Sequence, residues 1–242
     1  MRLDQYLANE LGSRTRAADA IKAGRVTVNQ KAVTRPAFEV NPEDDIQVSK
    51  AEHDYVSRAG GKLQAAYDAF GFSTQDEVVL DIGASTGGFT QCALEHGARK
   101  VYALDVGHLQ LSEKLKNDPR VVEKEGVNVK EIKQEDFSEP IDFVCMDVSF
   151  ISAIQALGYV FDQFVPEHLA VLVKPQFECG PKALNKKGVI KHPKYEKEAL
   201  EAMISLLKSY YSSIRSIPSP VIGRKGNQEY IVYAEKRRDP VD

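Results

Sequence analysis

The string Val78-Val79-Leu80-Asp81-Ile82-Gly83-Ala84-Ser85-Thr86-Gly87-Gly88-Phe89 constrains this chain more than any other. A short apolar strand is interrupted by a carboxylate, turns through small residues and opens a helix. In an open α/β sheet, ligands bind at the carboxyl ends of such strands, and glycines let them approach the backbone closely. Further aliphatic runs at 100–105, 141–147, 169–174 and 228–234 give, with 77–82, five strand candidates. Helical patterns fill gaps between them, notably at 89–96, 152–164 and 194–211. This alternation predicts an α/β domain with a mostly parallel, doubly wound Rossmann-like sheet and helices on both faces.

The first fifty residues read as a separate, small α+β unit. Leu3, Leu7 and Leu11 fall on one helical stripe, and Ser13 is placed to cap a second helix running to Ala23 with Ala17, Ala20 and Ile21 inward. Val26 and Val28 alternate with polar residues before Asn29-Gln30 turns the chain into a hairpin, and Ile46 and Val48 read as a last strand. The organisation expected is therefore 1–50 as an accessory domain, 51–59 as a polar linker and 60–242 as the main domain.

The net charge of −3 gives no hint of a nucleic-acid partner, but its distribution does. Between Arg2 and Arg35 stand seven basic residues against three acidic ones, a candidate phosphate footprint. Cys92, Cys145 and Cys179 lie far apart without a CxxC pair, which points to reduced thiols rather than disulfides or zinc, and no metal is expected. No apolar stretch follows the start of the chain and none approaches the ~18 residues of a membrane span. A cytoplasmic protein with no membrane partner is the expectation.

Two features narrow the ligand. Gly83 is followed by Ala84-Ser85, so the phosphate-binding GxGxxG pattern is absent, and there is no GK[ST]. Asp105 closes the second strand about twenty residues beyond the turn, where a carboxylate can accept ribose hydroxyls. Asp81 would repel a pyrophosphate but suits a ligand carrying an ammonium and a sulfonium. The D-x-G-x-S/T-x-G-G-F form resembles the first motif of class I methyltransferases of the FtsJ and TlyA kind. The resemblance implies S-adenosyl-L-methionine as cofactor, with Gly83, Ser85, Thr86, Gly87 and Phe89 around its methionine part, Asp105 on the ribose, Asn128 near the adenine and Asp81 anchoring the loop and the amino group.

Four polar residues stand at strand or helix ends: Lys62 after Arg58-Ala59-Gly60-Gly61, Asp147 after Met146, Lys174 after Val173, and Glu229 at the entry to the last strand. Together they match the Lys-Asp-Lys-Glu tetrad of ribose 2′-O-methyltransferases. A ribose hydroxyl is a poor nucleophile, and a lysine can serve as its base if desolvation and a neighbouring cation lower its pKa from ~10.4. Lys174 is the expected base, Asp147 its orienting partner beside the methyl group, and Lys62 and Glu229 would position the ribose. Asp147-Val148-Ser149-Phe150 lacks the proline pair used for exocyclic base nitrogens. Cys145 lies too far back in its strand to attack a pyrimidine, so ribose oxygen is the better acceptor.

Lys174-Pro175-Gln176-Phe177-Glu178 precedes a loop holding Lys182, Lys186, Lys187, Lys191 and Lys194 without an acid, a candidate grip on RNA backbone. The first fifty residues resemble the RNA-binding domain named after ribosomal protein S4, through Arg2-Leu3-Asp4, Ser13-Arg14 and the pattern from Ala17 to Asn29. That resemblance places Arg14, Arg16, Lys22 and Arg25 on phosphates. Gln30 stands where this family usually has glycine, so the hairpin should be slightly strained. The chain as a whole resembles the TlyA family, which implies methylation of a cytidine 2′-hydroxyl in ribosomal RNA. Two other readings stay open, a non-catalytic RNA-binding assembly factor and a membrane-active haemolysin.

Overall fold

The computed structural model describes residues 1–49, 55–223 and 225–238, and contacts divide the chain into two compact units, Met1–Asp54 and Tyr55–Asp242. The first unit holds α1 (Leu3–Tyr6), α2 (Arg14–Lys22), β1 (Val26–Val28), β2 (Lys31–Ala32) and β3 (Ile46–Val48). Its strands form an antiparallel sheet in the order β2-β1-β3. Ser13 caps α2 by accepting a hydrogen bond from the Arg16 amide at 3.1 Å, which satisfies one of the amide donors a helix start leaves without a partner. Leu3, Leu7, Ala17, Ala20, Ile21, Val26, Val28 and Val40 form the unit's small core. The first helix is shorter than the leucine stripe suggested. It ends at Tyr6, and the chain turns toward Gly12, which sits at φ +79°. The β1–β2 turn places Asn29 at φ +50° and Gln30 at φ +67°, so the missing glycine does leave a non-glycine residue in the left-handed region.

The second unit contains α3 (Arg58–Phe70), β4 (Val78–Ile82), α4 (Gly88–Glu95), β5 (Lys100–Asp105), α5 (Glu113–Lys116) and β6 (Val121–Glu125). It continues through β7 (Phe143–Met146), α6 (Ala153–Phe161), β8 (His168–Val173), α7 (Pro175–Glu178), α8 (Pro193–Lys208), β9 (Tyr211–Pro218) and β10 (Tyr230–Arg237). Its seven strands lie in the order β6-β5-β4-β7-β8-β10-β9. The pairs from β6 to β8 are parallel, while β10 runs antiparallel to both β8 and β9. The order reverses at β4, which leaves a crevice outside the carboxyl ends of β4 and β7.

One cluster on one sheet face gathers Val78, Leu80, Ile82, Val144, Met146, Val171 and Val173 with the buried faces of α6 and α8. The other face packs Val79, Cys145, Leu172 and Ile231 against α3 and α4. The period-2 alternation of strands then fixes where the polar residues at the sheet edge go. Asp81 follows Val79, Asp147 follows Cys145 and Lys174 follows Leu172, each two residues on, while Glu229 precedes Ile231 by two. All four therefore belong to the face that α3 covers.

Several boundaries differ from those the sequence suggested. Residues 51–54 of the expected linker lie outside the described residues, but Tyr55 is already buried against Leu63 and Cys92 in the second unit and α3 begins at Arg58. Strands β6 and β9 escaped the hydrophobic pattern because both are edges. Val-Val-Glu-Lys-Glu and Tyr-Ser-Ser-Ile-Arg-Ser-Ile-Pro carry few core residues. Tyr211, expected to close a helix, instead opens β9; its side chain is fully buried and its hydroxyl donates to the Pro166 carbonyl at 2.8 Å. Glu229 precedes β10 rather than lying within it.

Candidate active site

Two glycines let the parts of the site meet. Gly83, at φ +83°, ends β4, and a Cβ there would stand 2.7 Å from the Asp147 carbonyl oxygen. The turn after β4 is thereby pressed against the chain leaving β7, where the Asp147 amide donates to the Ile82 carbonyl at 3.0 Å. Gly88 opens α4, and a Cβ on it would stand 2.3 Å from Ser57 Oγ and 2.8 Å from the Gly60 amide nitrogen. The N-terminal turn of α3 can lie this close to the glycine-rich turn because the side chain is missing, and Lys62 comes with it.

At this edge the four candidate catalytic residues are together. Lys62 Nζ donates to Glu229 Oε2 at 2.6 Å and stands 3.9 Å from Asp147 Oδ2. Lys174 Nζ lies 2.6 Å from Asp147 Oδ1 and donates to Ser149 Oγ at 2.7 Å. The Lys174–Asp147 contact is an ion pair without the alignment of a hydrogen bond, which leaves that buried oxygen without a proper donor. Lys62, Lys174 and Glu229 are each at most 8% exposed. Two cations and two anions alternate as Glu229–Lys62–Asp147–Lys174, an arrangement that keeps charge tolerable under burial. The β8–β10 register sets the last link. Tyr230 pairs with Val173, so Glu229 and Lys174 leave their strands side by side.

The glycine-rich turn has its own scaffold. Ser85 is a non-glycine residue at φ +48°, and Gly87 lies at φ +96°. Asp105 Oδ2 accepts from the Ser85 amide and Oδ1 from the Gly107 amide, both at 2.8 Å, tying the ends of β4 and β5 together. Ser85 and Thr86 are exposed on this turn, whereas the Phe89 side chain is buried with Ala84 and Cys92 on the α4 side of the sheet. Asn128 starts a 3-10 turn, its Oδ1 accepting from the Lys130 amide at 3.1 Å. The neighbouring Val127 amide donates to the Asp105 carbonyl at 3.1 Å, so Asn128 stands beside the Asp105 edge.

Asp81 is wholly buried. One carboxylate oxygen accepts from Thr90 Oγ1 at 2.6 Å and the other has no hydrogen-bond partner. Burial pushes this carboxyl up to about 7, against the pull of the Thr90 hydroxyl and with a further upward push from Asp147. Burial likewise raises the thiol of Cys92, to about 12, and that of Cys145, so both behave as packing residues.

The candidate RNA contacts divide between the two units. In the first, Arg14 Nε donates to Asp4 Oδ2 at 3.1 Å, Arg25 Nη1 reaches the Ser49 carbonyl at 3.4 Å, Lys22 is exposed and Arg16 is half-buried. Asp4 also binds Arg2, whose guanidinium is the main reason its carboxyl is held down at about 2. In the second unit, Lys182, Lys186 and Lys187 are exposed on the loop between α7 and α8. Asn227 secures that loop: buried at 3% exposure, it accepts from the Ile190 amide at 2.9 Å and donates to the Gly188 carbonyl at 3.0 Å. The basic loop is thus fastened two residues from Glu229. Sequence patterns gave no signal for Ser149, Asn227 or the helix-capping contacts of Glu178, since their importance lies in partners distant along the chain. Among the described residues no group of three or more His, Cys, Asp and Glu side chains could hold a metal ion.

A parallel sheet ending in one reversed strand, with a glycine-rich turn at its switch point and an acid closing the next strand, defines a Rossmann-like methyltransferase. The profile of the FtsJ-like methyltransferase family matches residues 55–236, and that of the S4 domain matches residues 1–46. The chain belongs to the FtsJ-like methyltransferase family, with an S4 domain preceding the catalytic fold. Hemolysin A of Brachyspira hyodysenteriae is 44% identical over 96% of this chain and 99% of its own length. The 16S/23S rRNA (cytidine-2′-O)-methyltransferase TlyA of Mycobacterium tuberculosis is 35% identical over 94% of this chain and 86% of its own. A solved structure from Streptococcus thermophilus that carries a hemolysin name is 33% identical, covers 99% of this chain and 90% of its own, and superposes with a TM-score of 0.76.

Proposed function

We propose that this protein transfers a methyl group from S-adenosyl-L-methionine to a ribose 2′-hydroxyl, that of a cytidine, in ribosomal RNA. The observation that carries the reading is the contiguous Glu229–Lys62–Asp147–Lys174 cluster beside Gly83. The cytidine and the ribosomal target come from the name of the mycobacterial relative. The S4 domain supports an RNA substrate.

The turn fits the cofactor by its chemistry. A backbone turn held open by Gly83 and Gly87, an Asp105 carboxylate at its rim and a buried Asp81 oxygen without a donor suit a ligand with a ribose and a cationic amino acid. Gly83, Ser85, Thr86, Gly87 and Phe89 would line the methionine part, through backbone in the case of the buried Phe89, with Asn128 toward the adenine. Bound S-adenosyl-L-methionine supplies an electrophilic methyl group on sulfur. Lys174 takes the proton of the attacking hydroxyl at Nζ. Asp147 and Ser149 hold that nitrogen in place, and Lys62, fixed by Glu229, keeps the ribose in line with the methyl group. Arg14, Arg16, Lys22 and Arg25 of the S4 domain, with Lys182, Lys186 and Lys187, hold phosphates.

The direct test is methyl transfer to ribosomal RNA from cells lacking the gene, followed by mapping of 2′-O-methyl marks. Lys174→Ala should lower the single-turnover rate by about 10²–10⁴-fold, the range of a lost general base, while cofactor binding stays within a few fold. A rate unchanged by the substitution would remove the catalytic role assigned to the cluster. Because two relatives carry a hemolysin name, dye release from liposomes belongs in the same series. Among the described residues, no helix is long and apolar enough to cross a membrane.

A further inference from the structure

The loop that carries Asp147 is not held by its own sequence. It runs Asp147-Val148-Ser149-Phe150-Ile151-Ser152 from the end of β7 to the start of α6, and Phe150 within it sits at φ +67° while 93% exposed. A bulky residue in that region is strained and persists where surrounding contacts over-determine it. Burial of the Phe150 side chain does not supply them. The constraint comes from the turn that follows the neighbouring strand β8.

Glu178 ends α7, the single turn that follows Lys174. Its carboxylate reaches the far end of the Asp147 loop, where Oε2 accepts from Ser152 Oγ at 2.5 Å and Oε1 from the Ala153 amide at 2.7 Å. Both bonds are charge-assisted, and they meet the N-terminus of the nine-residue α6, where a negative charge is favoured. Phe150 and Phe177 add a ring contact at 5.5 Å between the same two segments. The segments leaving β7 and β8 are therefore joined twice, by Glu178 to Ser152 and Ala153 and by Lys174 to Ser149 at 2.7 Å.

We propose that Glu178 is a positioning residue that acts through Ser149, holding the serine hydroxyl as the hydrogen-bond acceptor that orients the Lys174 amine beside its ion pair with Asp147. To act as a base the Lys174 ammonium first gives up a proton, and the resulting amine has two N–H bonds and one lone pair. With one hydrogen donated to Ser149 Oγ and the nitrogen held by charge beside Asp147 Oδ1 at 2.6 Å, the amine has a fixed direction that leaves its lone pair to the open side, where the hydroxyl must arrive. Without the Glu178 bonds the strained loop relaxes, Ser149 leaves, and the amine rotates among several orientations. The inference rests on the methyl-transfer function above and adds a source of orientation to it.

The test is a double-mutant cycle on the full chain, with Glu178→Gln, Ser149→Ala and both together, read as single-turnover methyl transfer at saturating cofactor and RNA. Each single substitution should lower the rate about tenfold, and the double variant should be no slower than about the worse single one, because both remove the same constraint. Dissociation constants for S-adenosyl-L-methionine and RNA should remain within twofold and the melting temperature nearly unchanged. Multiplicative losses in the double variant, an unchanged rate in Glu178→Gln, or a loss that follows weaker cofactor binding or a lower melting temperature would each overturn the proposal. A wild-type chain that transfers no methyl group overturns the function itself and this inference with it. Failure of the cycle with an active wild type overturns the positioning role alone.

Discussion

Asp81 and Asp4 show how one residue type is driven in opposite directions by its surroundings. Asp4 is buried beside two arginines and stays ionised to about pH 2. Asp81 is buried beside a threonine and raised further by another carboxylate, and its carboxyl rises from 3.8 to about 7. Folding therefore holds a proton on Asp81 that the unfolded chain has released between these values. Stability associated with this group is fully present below about pH 4 and is lost as pH rises through 7, by an amount on the order of a few kcal/mol. Asp81→Asn keeps an acceptor for Thr90 and removes the titration. Denaturant melts of ligand-free protein should show the variant gaining on the wild type from pH 4 to pH 7, with the difference flat above that. A difference that does not change across this window would mean that the carboxyl stays ionised in the fold. If the ammonium of the cofactor approaches the donorless oxygen, binding at pH 6 should also release protons, seen as a dependence of the calorimetric heat on buffer.

At the scale of elements, the close approach of α3 to α4 brings Lys62 into the site, and two glycines in or beside these helices make opposite predictions. An alanine Cβ at Gly88 would stand 2.8 Å from the Gly60 backbone nitrogen, which no rotamer can relieve. Gly88→Ala should cost about 1–3 kcal/mol, lower the melting temperature by roughly 2–4 °C per kcal/mol for a chain of this size, and slow methyl transfer by displacing Lys62. At Gly61 a Cβ would meet nothing within 4 Å, so Gly61→Ala should raise stability by roughly 0.5–1 kcal/mol through helix propensity. Thermal melts of the two variants decide it; equal effects would mean that the helices adjust freely. This contrast also marks what the sequence could reveal. The Gly87-Gly88 pair advertises a tight turn and the Gly60-Gly61 pair stands at the start of a helix, and the charged residue that closes an apolar run places Asp147 and Lys174 at one sheet edge. Which glycine of a pair faces a neighbouring backbone depends on α3 meeting α4, a contact between segments some thirty residues apart. The same holds for Ser149 and Glu178, whose partners lie 25 and 26 residues away. Edge strands β6 and β9 were hidden for a different reason, because half of each faces solvent and the apolar alternation fades.

For the whole molecule, the net charge of −3 conceals two groups of basic residues, one on the S4 domain and one on the loop between α7 and α8. A slightly acidic protein that binds RNA must do so through local patches, and each phosphate neutralised releases condensed counterions. The logarithm of affinity should then fall linearly with the logarithm of salt, with a slope of roughly 0.7 per phosphate on single-stranded RNA. Replacing Lys182, Lys186 and Lys187 together by alanine should reduce that slope by about 2 if all three meet phosphates. Replacing Arg14, Arg16, Lys22 and Arg25 in the other domain should reduce it by a similar or larger amount. If one RNA meets both groups, the two reductions should add in the combined variant, since counterion release counts contacts rather than geometry. Titrations across 50–200 mM salt with a ribosomal RNA fragment measure this directly. A loop variant with the wild-type slope and weaker affinity would show that these lysines shape the loop that Asn227 fastens near Glu229, without touching the phosphates themselves.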